Sequence, residues 1–119
     1  MNKKILFLDD DPIALYHYET VFKEAGYSVR CIEMADAVYK AIESFTPDLI
    51  VLDIRLSDGD GRKICDEIKI RPATMNVPVI LLTALSHAEI SKLECAADAI
   101  FGKSFNSDNL LLTVADLIK

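Results

Sequence analysis

The sequence predicts an α/β protein built on a parallel sheet with helices on both faces. Three observations lead there. Short, continuously apolar runs recur, among them KILFL at residues 4–8, DLIVLD at 48–53 and VILLT at 79–83. A strand buried on both faces reads as such a run rather than as an alternation. Between the runs lie segments with helical spacing of apolar residues, so strand and helix alternate five times. Finally, 119 residues of which 51% are hydrophobic suit one compact domain with its own core.

The elements follow in order. Residues 4–8 form the first strand. Asp11-Pro12 then reads as an N-cap followed by proline at the first helical position. That helix runs to about Ala25, and Gly26 is its stop. Residues 28–32 form the second strand. Residues 35–45 are helical, with Val38, Ala41, Ile42 and Phe45 at core spacing, and Pro47 ends the segment. The third strand is 48–53. Gly59 and Gly61 mark a loop, and a helix follows over about 62–70. Asn76-Val77-Pro78 leads into the fourth strand, 79–83. A helix over 86–96, a short strand over 98–102, and a helix capped by Asn106 and running to Ile118 complete the chain. The whole of 1–119 is expected to be a single domain.

Composition removes several functions. The net charge is -6 with no basic run, so the surface repels phosphate backbones and direct nucleic-acid binding is not expected. Cys31, Cys65 and Cys95 are far apart and form no CxxC pair, and neither His17 nor His87 lies near them in sequence. They read as buried or half-buried thiols of a reducing compartment, not as a zinc site or disulfide framework. The first apolar run is broken at Asp9, too early for a signal peptide or membrane span. The expectation is a cytoplasmic protein.

In an open α/β sheet, ligands bind beyond the carboxyl ends of the strands. That edge gathers Asp9 and Asp10 from strand one, Asp53 from strand three, Thr83 from strand four and Lys103 after strand five. Adjacent carboxylates repel, by ~4 kcal/mol at about 4 Å and an effective dielectric near 20. Three of them at one edge call for a cation. Oxygen ligands with no His or Cys beside them suit Mg²⁺. Asp11 is assigned to the helix cap instead. Thr83 and Lys103 add a hydroxyl and a positive charge that, with the metal, can hold the oxygens of a phosphoryl group. One carboxylate can then act as nucleophile and become an acyl phosphate. Ala84, being small, leaves access.

With these residues in view, the chain resembles the response-regulator receiver domain of two-component signalling over nearly its whole length. The resemblance rests on LDDDP, DLIVLDIRLSDGDG, VILLTA and the lysine in AADAIFGKSF. It implies a flavodoxin-like fold with five parallel strands in the order 2-1-3-4-5. It further implies that Asp53 is the phosphoacceptor and Asp10 a direct Mg²⁺ ligand, with Asp9 acting through water. The backbone carbonyl of Arg55 is implied as a further metal ligand, and Thr83 and Lys103 as the pair that senses the phosphoryl group. The implied donor is a phosphohistidine on a sensor histidine kinase or histidine phosphotransfer protein. Apart from the resemblance, the apolar surplus of the final helix leads to the expectation of a downstream protein partner through the last helices.

The chain departs from the family pattern at four positions. Ser104 follows Lys103 where the family commonly has proline in a cis peptide; a cis bond before serine costs ~3 kcal/mol, so a trans bond is open to it and the placement of Lys103 can differ from the family's. Ser57 replaces a common proline and is expected to loosen its loop without altering the chemistry. Ile100 stands where a switching aromatic is frequent, and Phe101 is expected to point to the other side of the strand. Arg55 lies two residues past the acceptor, where its side chain can pair with phosphate or obstruct water. The last helix carries Leu110, Leu111, Leu112, Val114, Ala115, Leu117 and Ile118, more than one buried stripe requires.

Two other functions are consistent with parts of the pattern. A pseudo-receiver would keep the fold and bind partners without phosphorylation. A haloacid-dehalogenase-type phosphatase would use Asp9 as nucleophile and Asp11 as acid/base, but leaves Asp53 without a role. A nucleotide binder of this fold would need a Gly-rich loop after strand one, and there is none.

Overall fold

The computed structural model describes residues 2–84, 96–102 and 107–118. Five parallel strands form one sheet: β1 (Lys4–Leu8), β2 (Ser28–Ile32), β3 (Leu49–Asp53), β6 (Val79–Thr83) and β7 (Ala99–Gly102), in the spatial order β2-β1-β3-β6-β7. Two short strands, β4 (Arg55–Leu56) and β5 (Gly59–Asp60), make a separate antiparallel hairpin. Leaving that hairpin aside, the order is the expected 2-1-3-4-5. The described helices are α1 (Pro12–Glu24), α2 (Val38–Phe45), α3 (Gly61–Ile70) and α4 (Ser107–Leu117), with a 3₁₀ turn at Ala35–Ala37 before α2. The expected helix over 86–96 lies outside the described residues, apart from its last residue, as does the Asn106 cap.

Strand geometry explains why the sheet is covered twice. Successive side chains point to opposite faces. Leu6, Leu8, Ile50, Leu52, Val79 and Leu81 pack on one side with Val38 and Ala41 of α2 and Ile64, Cys65 and Ile68 of α3. Ile5, Phe7, Leu49, Val51, Ile80 and Leu82 pack on the other side with Leu15, Tyr18 and Phe22 of α1 and Leu110 and Val114 of α4. Phe7 stacks on Tyr18 and meets Phe22 edge-on, both at ring-centroid distances of 5.2 Å. Burying side chains of this size contributes about 1.5–3 kcal/mol each. Ile100 joins the first face and Phe101 the second, as expected for neighbours on a strand.

The ends of the elements follow local chemistry. The Asp11 carboxylate accepts the Ile13 N–H at 3.0 Å and Pro12 opens α1. Gly26 stops the helix in the left-handed region, at φ 99°. Residues 35–45 do not form one continuous α-helix. The first turn is 3₁₀, and Ile42 and Phe45 are only partly buried. Cys65 is buried and Cys31 half-buried. Burial, reinforced by Glu19, pushes the Cys31 thiol up to about 11, which keeps it protonated and unreactive at neutral pH.

Two aspartates fasten the opposite, amino-terminal edge of the sheet in the same way. Asp48 accepts the Lys4 N–H at 2.8 Å, and Asp98 accepts the Val79 N–H at 2.8 Å. Asp98 also pairs with Lys69 of α3 at 2.7 Å, and that lysine side chain is only 15% exposed. Asp98→Asn retains an acceptor for Val79 but leaves the Lys69 ammonium without its counter-charge. The expected loss is about 1–2 kcal/mol, read in urea unfolding as a lower midpoint with an unchanged slope. An unchanged midpoint would show that the pair contributes nothing.

Candidate functional site: an acidic cleft at the carboxyl edge

The parallel register brings the strand ends together. Leu8 pairs with Leu52, Asp53 with Leu82, and Thr83 with Gly102. Chain crossing from β1 and β3 therefore emerges at one edge, carrying Asp9 and Asp10 from one strand and Asp53 from its neighbour. A carboxylate oxygen from each of the three lies within 4.8 Å of the others. Asp9 and Asp53 are only 1% and 3% exposed, and Thr83 is 3% exposed. Asp10 faces solvent.

Backbone donors orient the two buried acids. The Asp11 N–H donates to Asp9 Oδ1 at 3.0 Å, and the Arg55 N–H to Asp53 Oδ1 at 3.2 Å. A cleft of about 760 Å³ opens at Asp53, lined in part by Asp10, Asp53, Arg55, Arg62, Thr83 and Ala84. The Asp60 carboxylate caps α3 by accepting the Arg62 N–H at 2.9 Å. The Arg62 guanidinium, 3.0 Å away, holds the Asp60 carboxyl below its usual range.

The donor set decides what the cluster can hold. It consists of hard carboxylate oxygens alone, and two of the three acids are taken out of water. Oxygen donors of this kind, gathered within 4.8 Å, match Mg²⁺. Thr83 reaches the same cleft, so four of the five residues read from the sequence converge. Lys103, the fifth, lies outside the described residues, together with Ser104. Arg55 is at the cleft and exposed.

Three features of the site were not anticipated. Residues 55–60 form the β4–β5 hairpin, with Arg55 opposite Asp60 and Leu56 opposite Gly59. Ser57 sits in its turn, so the segment expected to be loose is laddered. Gly61 is the first residue of α3, not part of a loop, and its N–H donates to Ile54 O at 2.8 Å. A Cβ at Gly61 would stand 2.2 Å from the Asp53 carbonyl oxygen. The only sequence signal for that close approach is a glycine next to the Asp60 cap.

The family model for the response regulator receiver domain matches residues 5–115. The chain belongs to the response-regulator receiver family. This receiver domain is 31% identical over 99% of its length to the transcriptional regulatory protein GltR of Pseudomonas aeruginosa, covering 50% of that protein. The chain spans half or less of the curated relatives it matches. Among solved structures, it is similar to the response regulator TrrA of Thermotoga maritima in complex with Mg(2+)-BeF. That match has a TM-score of 0.85 at 33% identity, over 97% of this chain and 98% of the other. The signal receiver domain of a histidine kinase from Syntrophus aciditrophicus matches with a TM-score of 0.89 at 30% identity, over 98% of this chain and 89% of the other. Membership confirms the flavodoxin-like fold and the receiver reading. The phosphatase reading loses its basis, and Asp11, its acid/base candidate, is used as the α1 cap. Among the described residues, no helix is long and apolar enough to cross a membrane.

Proposed function

We propose that residues 1–119 form one receiver domain in which Asp53 accepts a phosphoryl group from a phosphohistidine. The partner carrying it is a histidine kinase or histidine phosphotransfer protein in the cytoplasm. The observation that carries this reading is the buried Asp53 carboxylate within 4.8 Å of those of Asp9 and Asp10, under an open cleft. An Asp53 oxygen attacks phosphorus, the P–N bond breaks, and the imidazole nitrogen keeps the electron pair and takes up a proton. Asp9, Asp10, Asp53 and the Arg55 carbonyl would hold Mg²⁺. When bound, the ion supplies charge neutralisation for the phosphoryl oxygens. The oxygen-only donor set supports this choice, as does the Mg(2+)-BeF complex of TrrA.

Thr83 and Lys103 hold the remaining oxygens, Thr83 through its hydroxyl. With Ile100 packed against the sheet in place of an aromatic, output rests on Thr83 and the loop after it. The downstream partner docks on the last helices. Leu112 of α4, 65% exposed, supports that assignment.

The test is intact mass after incubation with acetyl phosphate, with and without Mg²⁺. One phosphoryl group (~80 Da, the mass of the acyl-phosphate adduct) should appear only with the metal. A metal-independent adduct, or none, would overturn the proposal.

Arg55 sets the lifetime of the product. The residue lines the cleft, from where its guanidinium can contact the acyl phosphate or exclude water. Arg55→Met is expected to shorten the half-life by roughly two- to fivefold, the equivalent of a partly screened charge contact. Equal half-lives would remove Arg55 from the account.

A further inference from the structure

We infer that Asp58 is a positioning residue of the acidic site, acting through the β4–β5 hairpin on Arg55 and Asp53. This rests on the reading of that site as a Mg²⁺-dependent phosphoacceptor. The starting observation is a turn that cannot cap itself. The 3₁₀ turn Ala35–Ala37 begins after Met34, which has no side-chain acceptor, and no capping bond comes from it. The first amides of such a turn need partners from elsewhere. Asp58 supplies both, accepting the Ala35 N–H through Oδ1 at 2.8 Å and the Asp36 N–H through Oδ2 at 3.2 Å.

A second observation is independent of the carboxylate. A Cβ placed on Gly59 would lie 3.1 Å from Ala35 Cβ. Gly59 therefore packs against the Ala35 methyl with little room for a side chain between the hairpin and the turn. Both ends of the hairpin are thus accounted for: Asp58 and Gly59 are anchored on the turn, and the ladder Leu56–Gly59 and Arg55–Asp60 carries that placement back. At Arg55 the chain reaches the site, where the N–H donates to Asp53 Oδ1 and the residue lines the cleft. A free surface loop would leave Arg55, and the carbonyl assigned to the metal, to sample many positions. The tether removes that freedom before any ligand arrives.

The contact could instead do nothing but cap a turn, and the two roles separate experimentally. The probe is Mg²⁺ alone, titrated against the whole chain while backbone amide signals of Ala35, Asp36, Asp53 and Arg55 are followed by NMR. Asp58→Ala is expected to raise the half-saturating Mg²⁺ concentration roughly tenfold, the range seen when a group orienting a metal ligand is removed. Asp58→Asn keeps one carbonyl oxygen for Ala35 and should restore part of the affinity, which a general loss of stability would not explain. Gly59→Ala, which keeps the carboxylate but crowds Ala35, should shift affinity in the same direction and serves if Asp58→Ala does not fold. If the Ala35 and Asp36 amides change in Asp58→Ala while its Mg²⁺ titration stays within about twofold of wild type, Asp58 is a cap only and the inference is overturned alone. If wild type itself shows no Mg²⁺-dependent shift at Asp53, the site reading fails and takes this inference with it.

Discussion

Asp10→Asn is expected to slow phosphoryl uptake from acetyl phosphate about a hundredfold or more at a fixed, moderate Mg²⁺ concentration. The cause is electrostatic. Asp9 and Asp53 are buried, and their carboxylate oxygens share a 4.8 Å cluster with that of Asp10. Asp10 is the exposed member, so its exchange for an amide removes one unit of charge without opening a cavity. A site with two carboxylates attracts a hard divalent ion more weakly than one with three. The same change relieves repulsion. With screening by water, that gain is about 1 kcal/mol, so the metal-free variant should melt slightly higher than wild type. Wild type, in contrast, should gain thermal stability as Mg²⁺ is added, by mass action on the folded state. The pairing of lost activity with gained stability is the signature. A variant that lost both would point to a structural role for Asp10.

The second large effect is at Gly61. Gly61→Ala places a methyl group 2.2 Å from the Asp53 carbonyl oxygen and 2.9 Å from its carbonyl carbon. Both are backbone atoms of Asp53, the proposed acceptor, so no flexible side chain can give way. Either α3 moves off the end of β3 or Asp53 is displaced. The expected cost is about 2–3 kcal/mol, or a fall in melting temperature of roughly 10 °C for a chain of this size. Phosphoryl uptake should fall as well, because the methyl group acts on the peptide unit of the proposed nucleophile, Asp53. A variant with wild-type melting temperature and uptake would show that the two segments separate easily.

These two sites illustrate what the sequence made legible. Asp9, Asp10 and Asp53 could be read because each ends a strand that is apolar on both faces, and the parallel-sheet rule sends all such ends to one edge. Thr83 was legible for the same reason. The Asp11-Pro12 cap and the Gly26 stop were local signals, complete within a few residues. Gly61 was misread as loop because its necessity comes from the approach of α3 to Asp53, a contact that no local pattern records. The hairpin at 55–60 was missed because strands of two residues have no periodicity to detect. Asp58 was missed because its partners, Ala35 and Asp36, are 23 and 22 residues away. The 3₁₀ turn at 35–37 that Asp58 caps was likewise not read from the sequence. Lys103 and the peptide bond to Ser104 lie outside the described residues, so their part in the site stands on the sequence.

The most direct measurement locates the phosphoryl group. Protein charged with acetyl phosphate and Mg²⁺ is reduced with borohydride, which converts an aspartyl phosphate to homoserine, and is then mapped by peptide mass spectrometry. Homoserine at position 53, absent without Mg²⁺ and in Asp53→Asn, is the predicted result. Homoserine at position 9, or none anywhere while the metal is bound, would contradict the assignment of Asp53 as the acceptor.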